Sequence, residues 1–168
     1  YDGDFDKVID DQTKMPGAEW FKGIKLNYAE NLLKFKDSDH QAIISYNEDG
    51  SNVSLTFKEL YDKVISVNSF LKSVGVDKGD RVAAIMPNIS ETVIMMLATS
   101  SLGAIWTSCS PDFGVNAVLD RFKQIQPRVL LATDGYMFKG KYFSIKHKIE
   151  KISNELDSLE KIVGVSYI

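Results

Sequence analysis

Cysteine is almost missing from this sequence: Cys109 is the one cysteine in 168 residues. A lone thiol forms no internal disulfide, so the chain is no stapled scaffold, and such usage suits a reducing compartment. A cytoplasmic location is the expectation, with Cys109 read as a small buried hydrophobe. Histidine is nearly as scarce. His40 and His147 have no companions at metal-ligand spacing, and no Ser/His/Asp or Cys/His grouping can be assembled. Asp2, Asp4 and Asp6 begin like a calcium loop, but Lys7 stands where that loop needs glycine and Thr13 where it needs a bidentate glutamate. No metal site is expected among these residues. Positive charge is not in excess either. A formal charge of −3 gives no broad basic field to attract nucleic acid. Long apolar runs are lacking too. The longest, Val93 to Trp106, is interrupted by Thr99, Ser100, Ser101 and Gly103, short of the ~18 apolar residues of a membrane span. No signal-peptide pattern opens the chain. Neither nucleic acid nor membrane is therefore expected as a partner.

What is present is the composition of a globular domain, with 44% apolar and 26% charged residues. The length suits one domain with a substantial core. Residues 1–40 are the least regular part and read as an arm. It is expected to pack by Trp20, Phe21, Leu26, Tyr28, Leu32 and Leu33, with a short helix from Asn27 to Phe35. From Gln41 the pattern becomes orderly. Ala42 to Tyr46 and Val53 to Phe57 read as strands around the turn Asn47-Glu48-Asp49-Gly50. Thr56 and Glu59 have the spacing of a capping box, opening a helix with Leu60, Val64, Val67 and Leu71 on one face.

A repeating rhythm follows. Strands are expected at Arg81 to Met86, Ala104 to Cys109, Val129 to Ala132 and Ile162 to Tyr167. Helices are expected at Ser90 to Leu102, with Ser90 as N-cap, at Val115 to Gln126 and at Ile145 to Leu159. Alternation of this kind predicts an α/β fold: a mainly parallel sheet with helices on both faces, plus the irregular N-terminal arm. Ligands in such folds sit at the carboxyl ends of the strands, here the loops after Met86, Cys109 and Thr133.

Two of those loops carry suggestive chemistry. Residues 135–142 nearly spell the phosphate-binding pattern G-x-x-x-x-G-K-[ST], but Tyr142 replaces the magnesium-binding hydroxyl and the next helix starts too late. Lys139 and Lys141 on this loop could still hold a phosphate as point charges, and a solvated basic loop is the plainer alternative. Lys146 and Lys148 extend the same positive patch. In Ser110-Pro111-Asp112-Phe113-Gly114, Asp112 either caps the helix that follows or accepts a ribose or amine hydrogen bond.

Several stretches together resemble the acyl-CoA synthetase branch of the adenylate-forming enzymes: Trp20-Phe21 with Leu26 to Leu33, Thr56 to Leu60, Gly75 to Val82, Met86-Pro87-Asn88, and Leu102 to Trp106. Ser110 to Gly114, Val118 to Phe122, Gln124 to Pro127 and Asp134-Gly135-Tyr136 are similar to the acetoacetate–CoA ligase group within it. The resemblance runs the length of the chain. It implies residues 1–40 as the N-terminal arm of that branch and 41–168 as part of its AMP-binding domain. It also implies a ligase joining acetoacetate to CoA through an acyl-adenylate, with ATP, Mg2+ and CoA as cofactors and small-molecule substrates as partners.

The family's phosphate loop, adenine and ribose motifs and catalytic lysine have no counterpart in these residues, so no catalytic residue is named. The chain opens at Tyr1 rather than methionine and stops within an apolar run. Both ends are accordingly expected to be cut points, the missing remainder of the chain to be its partner, and these residues alone to be inactive and to bind none of the cofactors tightly. For CoA the resemblance implies that Asp112 and Phe113 border the nucleotide and that Lys139 or Lys141 pairs with a phosphate. A ligase for another short acid (acetate, propionate or hydroxybutyrate) stays open, as does a stand-alone α/β nucleotide-binding or interaction module.

Overall fold

The computed structural model describes residues 1–168. At its centre, β3 (Arg81–Ile85), β4 (Ile105–Cys109), β5 (Val129–Thr133) and β8 (Lys161–Val165) form a parallel sheet in the order β4-β3-β5-β8. Position in the sheet explains composition. β5 lies between two strands and is buried at every residue, whereas β4 and β8 at the edges include exposed positions. Two-residue periodicity then divides the side chains between two cores. Val82, Ala84, Val129 and Leu131 join the first, under α2 (Phe57–Ser73) and α3 (Ser90–Ser101). Ala83, Ile85, Leu130 and Ala132 join the second, under α4 (Val115–Ile125) and α5 (Lys146–Asn154). The expected α/β architecture, with helices on both faces, is the one observed.

Local signals set most element ends. At α2 the capping box forms as read: Glu59 N–H donates to Thr56 Oγ1 at 3.2 Å, and Thr56 N–H donates to Glu59 Oε2 at 2.8 Å. α4 stops at Gln126, a left-handed residue with φ 49° that precedes Pro127. Two helix caps differ from expectation, although both helices begin where expected, at Ser90 and Val115. The N-cap of α3 is Ile89, and Ser90 is already helical, its hydroxyl bonded to the Glu91 carboxylate at 3.0 Å. The N-cap of α4 is Gly114, so Asp112 does not cap that helix.

α5 is also shorter than its apolar spacing implied, ending at Asn154 rather than near Leu159. The sheet dictates the stop, because β8 must begin with Lys161 opposite Val129. Leu156 and Leu159 still pack into the second core, from turns instead of a helix.

In the first forty residues, α1 covers Tyr28–Leu32 only, inside the longer helix expected there. Asn27 does two jobs. Its Oδ1 accepts from Ala29 and Glu30 N–H, capping α1, while its Nδ2 donates to the carbonyls of Ser100 and Ser101 at the end of α3. The packing expected of the arm is mostly not found. Leu33 is buried, but Trp20, Leu26 and Tyr28 are 62%, 76% and 58% exposed, and Phe21 and Leu32 are exposed as well. Lacking a helical or strand period, this segment folds on itself through the bridges Asp2–Lys25 and Ile9–Trp20 and an edge-to-face Phe5–Phe21 pair.

Arg128 ties the opposite end of the sheet together. Its Nη1 donates to the Gly75 carbonyl and to Asp80 Oδ2 at 3.0 Å, and its Nε lies 2.8 Å from Glu160 Oε2 as an ion pair without hydrogen-bond alignment. The Asp77 backbone N–H, and after it Arg128, hold the Asp80 carboxyl below its ordinary pKa. A carboxyl depressed by folding stabilises the fold above its unfolded value, and that contribution is lost as pH falls through the folded value. We therefore expect Asp80→Asn to lower the thermal midpoint at pH 7. The gap to the unsubstituted protein should close as pH is taken from 5 to 2. A constant gap in melts followed by circular dichroism would contradict this account.

Candidate functional site

The carboxyl ends of β3 and β4 lead into Met86-Pro87-Asn88 and Ser110 to Gly114, and Met86 N–H bonds the Cys109 carbonyl at 3.2 Å. Beyond β5 the chain does something the sequence did not announce. The stretch read as a loop is a β-hairpin, β6 (Gly135–Phe138) and β7 (Lys141–Ser144), paired antiparallel. Lys139 and Gly140 form its turn with φ of 50° and 70°, the doubly left-handed geometry that suits two-residue hairpins. The near match to a phosphate-binding loop is thereby explained away, since Lys141 opens a strand rather than a helix whose amide groups could face a phosphate.

Between these pieces lies a cavity of about 300 Å³. One wall is Pro87, Asn88, Ser110, Pro111 and Asp112. The other is Tyr136, Met137 and Phe138 from β6. Asp112 lines it directly. Phe113 does not; its ring is partly exposed and sits 5.1 Å from the Arg121 guanidinium. Lys139 and Lys141 stand on the hairpin beyond Phe138, exposed and in no ion pair, with Lys139 Nζ 5.3 Å from the Phe138 ring. Of the four residues singled out in the sequence, the fold sets Asp112 in the wall; Phe113 follows it in the same loop, and Lys139 and Lys141 follow Phe138 along the hairpin, outside the lining. Apolar and aromatic surface beside two free ammonium groups is suited to a flat ring attached to phosphate.

A second cavity, also about 300 Å³, lies between this hairpin and the one formed by β1 (Gln41–Tyr46) and β2 (Asn52–Thr56). Asp49 and Glu91 are on its walls. Their like charge disfavours phosphate there, so the first cavity is the better candidate for a nucleotide.

One residue of the site escaped the sequence reading. Lys148, taken as part of a surface patch, donates from Nζ to the Pro111 carbonyl at 2.6 Å and the Phe113 carbonyl at 2.7 Å. Burial lowers its pKa, and Asp112 opposes the shift. A signal was available. Lys148 falls between Ile145 and Ile152 on the apolar face of α5, where a solvated lysine is out of place. Cys109 is buried as expected, and burial pushes its thiol pKa up.

Comparison with known proteins places this geometry. The model of the AMP-binding enzyme family matches residues 34–166. The acetoacetyl-CoA synthetase of Xenopus tropicalis is 43% identical over 170 residues, covering 100% of this chain and 25% of that protein. A malonamoyl-CoA synthetase of Penicillium aethiopicum is 38% identical, over 95% of this chain and 23% of its own. Among solved structures, an acetoacetyl-CoA synthetase from Streptomyces lividans superposes with a TM-score of 0.94 at 38% identity, covering 99% of this chain and 26% of that one. The chain therefore spans about a quarter of the length of the relatives it matches. With four-fifths of its residues inside the family model, this chain belongs to the AMP-binding enzymes.

Proposed function

We propose that this chain is the arm (1–40) and part of the AMP-binding domain (41–168) of an ATP-dependent acid–thiol ligase. The ligase forms acetoacetyl-CoA from acetoacetate, ATP and CoA through an acyl-adenylate, with AMP and pyrophosphate as products. The observation that carries this reading is agreement with acetoacetyl-CoA synthetases along essentially the whole chain. A carboxylate is a poor electrophile, and ATP supplies the activation as a mixed anhydride, with Mg2+ and basic groups offsetting the phosphate charge. These residues contribute the wall against which CoA's nucleotide end lies. Asp112 and Phe113 border the nucleotide, and Lys139 and Lys141 face its phosphates. The fit rests on the cavity beside β6 and on two ammonium groups without partners of their own. A second reading, a ligase for another short acid, is favoured by the malonamoyl-CoA synthetase relative.

A single set of assays on the intact ligase tests both. Thioester formation across acetoacetate, malonamate, acetate, propionate and 3-hydroxybutyrate should be fastest with acetoacetate; a clear preference for another acid replaces the first reading by the second. Replacing Lys139 and Lys141 together by alanine should reduce the preference for CoA over dephospho-CoA about tenfold, the loss of one charge-assisted hydrogen bond. An unchanged preference would reject the phosphate role.

A further inference from the structure

The two walls of the nucleotide cavity belong to segments far apart in sequence, and something must set the distance between them. Ser110 to Gly114 leads into α4. The hairpin β6–β7 leads into α5, with only Ile145 between Ser144 and Lys146. Any group that fixes α5 against the 110–114 loop therefore fixes the hairpin against that loop as well.

Lys148 makes this connection. Ile145 and Ile152, at three and four residues' distance along α5, are fully buried in the second core. Lys148 shares their face, so its stem lies along the core while its ammonium group reaches out of it. That group ends on two loop carbonyls, those of Pro111 and Phe113, at 2.6 and 2.7 Å. It enters none of the six ion pairs, so its charge is committed to the loop backbone. The two carbonyls flank Asp112, the loop residue that lines the cavity. The loop's other ties reach α4 or the loop itself: the Phe113 ring faces Arg121, and Phe113 N–H bonds the Ser110 carbonyl at 3.2 Å.

We propose that Lys148 is a positioning residue for thioester formation, holding the Pro111–Phe113 loop at the spacing from β6 that CoA's nucleotide end requires. The proposal rests on the CoA reading above. A charged donor shared by two carbonyls suits this role better than a neutral one, because hydrogen bonds from an ionised group are shorter and stronger.

The test uses the intact ligase with Lys148→Met, Lys148→Gln and Lys148→Arg. Acetoacetate-driven ATP–pyrophosphate exchange reports adenylation, which does not involve CoA, and also shows that each variant is folded. Lys148→Met should raise KM for CoA about tenfold, while exchange stays within about twofold. It should also speed hydrogen exchange at the Asp112 to Val115 amides. Lys148→Arg, which keeps the charge and its donors, should recover most of the CoA affinity. If the Met variant does not fold, Lys148→Gln is read by the same criteria. Unchanged amide exchange, or a KM for CoA that does not move while the Lys139/Lys141 variant weakens CoA, overturns the positioning role and leaves the CoA reading standing. If the Lys139/Lys141 variant and Lys148→Met both leave CoA binding intact, the CoA reading fails and this proposal with it.

Discussion

Replacing Phe122 by alanine should cost about 3–5 kcal/mol of stability, among the largest losses available to one side chain in this fold. The ring is fully buried and belongs to the second core, together with Val118 and Leu119 from α4 and Leu130 from the sheet. Truncation leaves a cavity that well-packed neighbours fill only in part, so lost transfer energy and lost contacts add. For a chain of this size each kcal/mol is worth roughly 2–4 °C, which places the fall in thermal midpoint at about 6–20 °C. Phe113→Ala is the control. That ring is 37% exposed, and its removal should shift the midpoint by no more than about 2 °C. Equal shifts in the two variants would mean that the second core is not packed as described.

Gly135→Ala should also be severe, for a different reason. A β-carbon there would lie 2.5 Å from the Phe143 carbonyl oxygen across the hairpin. The Ile168 side chain, which also meets that position, is a flexible tip and can move aside, but the Phe143 oxygen belongs to the partner strand. Relieving the clash requires β6 and β7 to separate where Gly135 pairs with Ser144. A loss of about 3 kcal/mol is expected, at the upper end of overpacking costs. Hydrogen exchange should rise first at Tyr136 to Phe143. Thermal melts and amide exchange together decide the matter: an unchanged midpoint with hairpin protection intact would show that the backbones are further apart than the structure has them. Because β6 forms one wall of the cavity, the same variant should loosen the candidate site before it unfolds the sheet.

These two residues also mark how far the sequence could be read. Phe122 was legible as a core position, since Val118, Leu119 and Phe122 recur at helical spacing in a segment that begins after Gly114 and ends before Pro127. The capping box at Thr56 and the order of strands and helices were legible for the same reason: they depend on residues a few positions apart. Gly135 was not. Its importance lies in an oxygen eight residues away that arrives only when the hairpin closes, and the stretch was read as a loop. The arm failed in the opposite sense. Trp20, Leu26 and Tyr28 looked like anchors by residue type, yet they remain exposed where no period directs them to a common face.

The candidate site divides in the same way. Asp112, Phe113, Lys139 and Lys141 were identified from loop position and family resemblance. Tertiary structure set Asp112 in the cavity wall, left Phe113 outside it and raised the lysines on a hairpin. Lys148 became part of the site only in three dimensions, through carbonyls 35 and 37 residues distant in the chain. The sequence by itself determined most of the helices and strands (the hairpin β6–β7 apart), which side chains are apolar enough to form two cores, and the family to which they belong. It could do so because those properties follow from local spacing and residue chemistry. Only the tertiary structure decided the strand order, the length of α5, the hairpin wall of the cavity and the commitment of Lys148. Each of those is fixed by a contact between residues that the chain brings together only on folding.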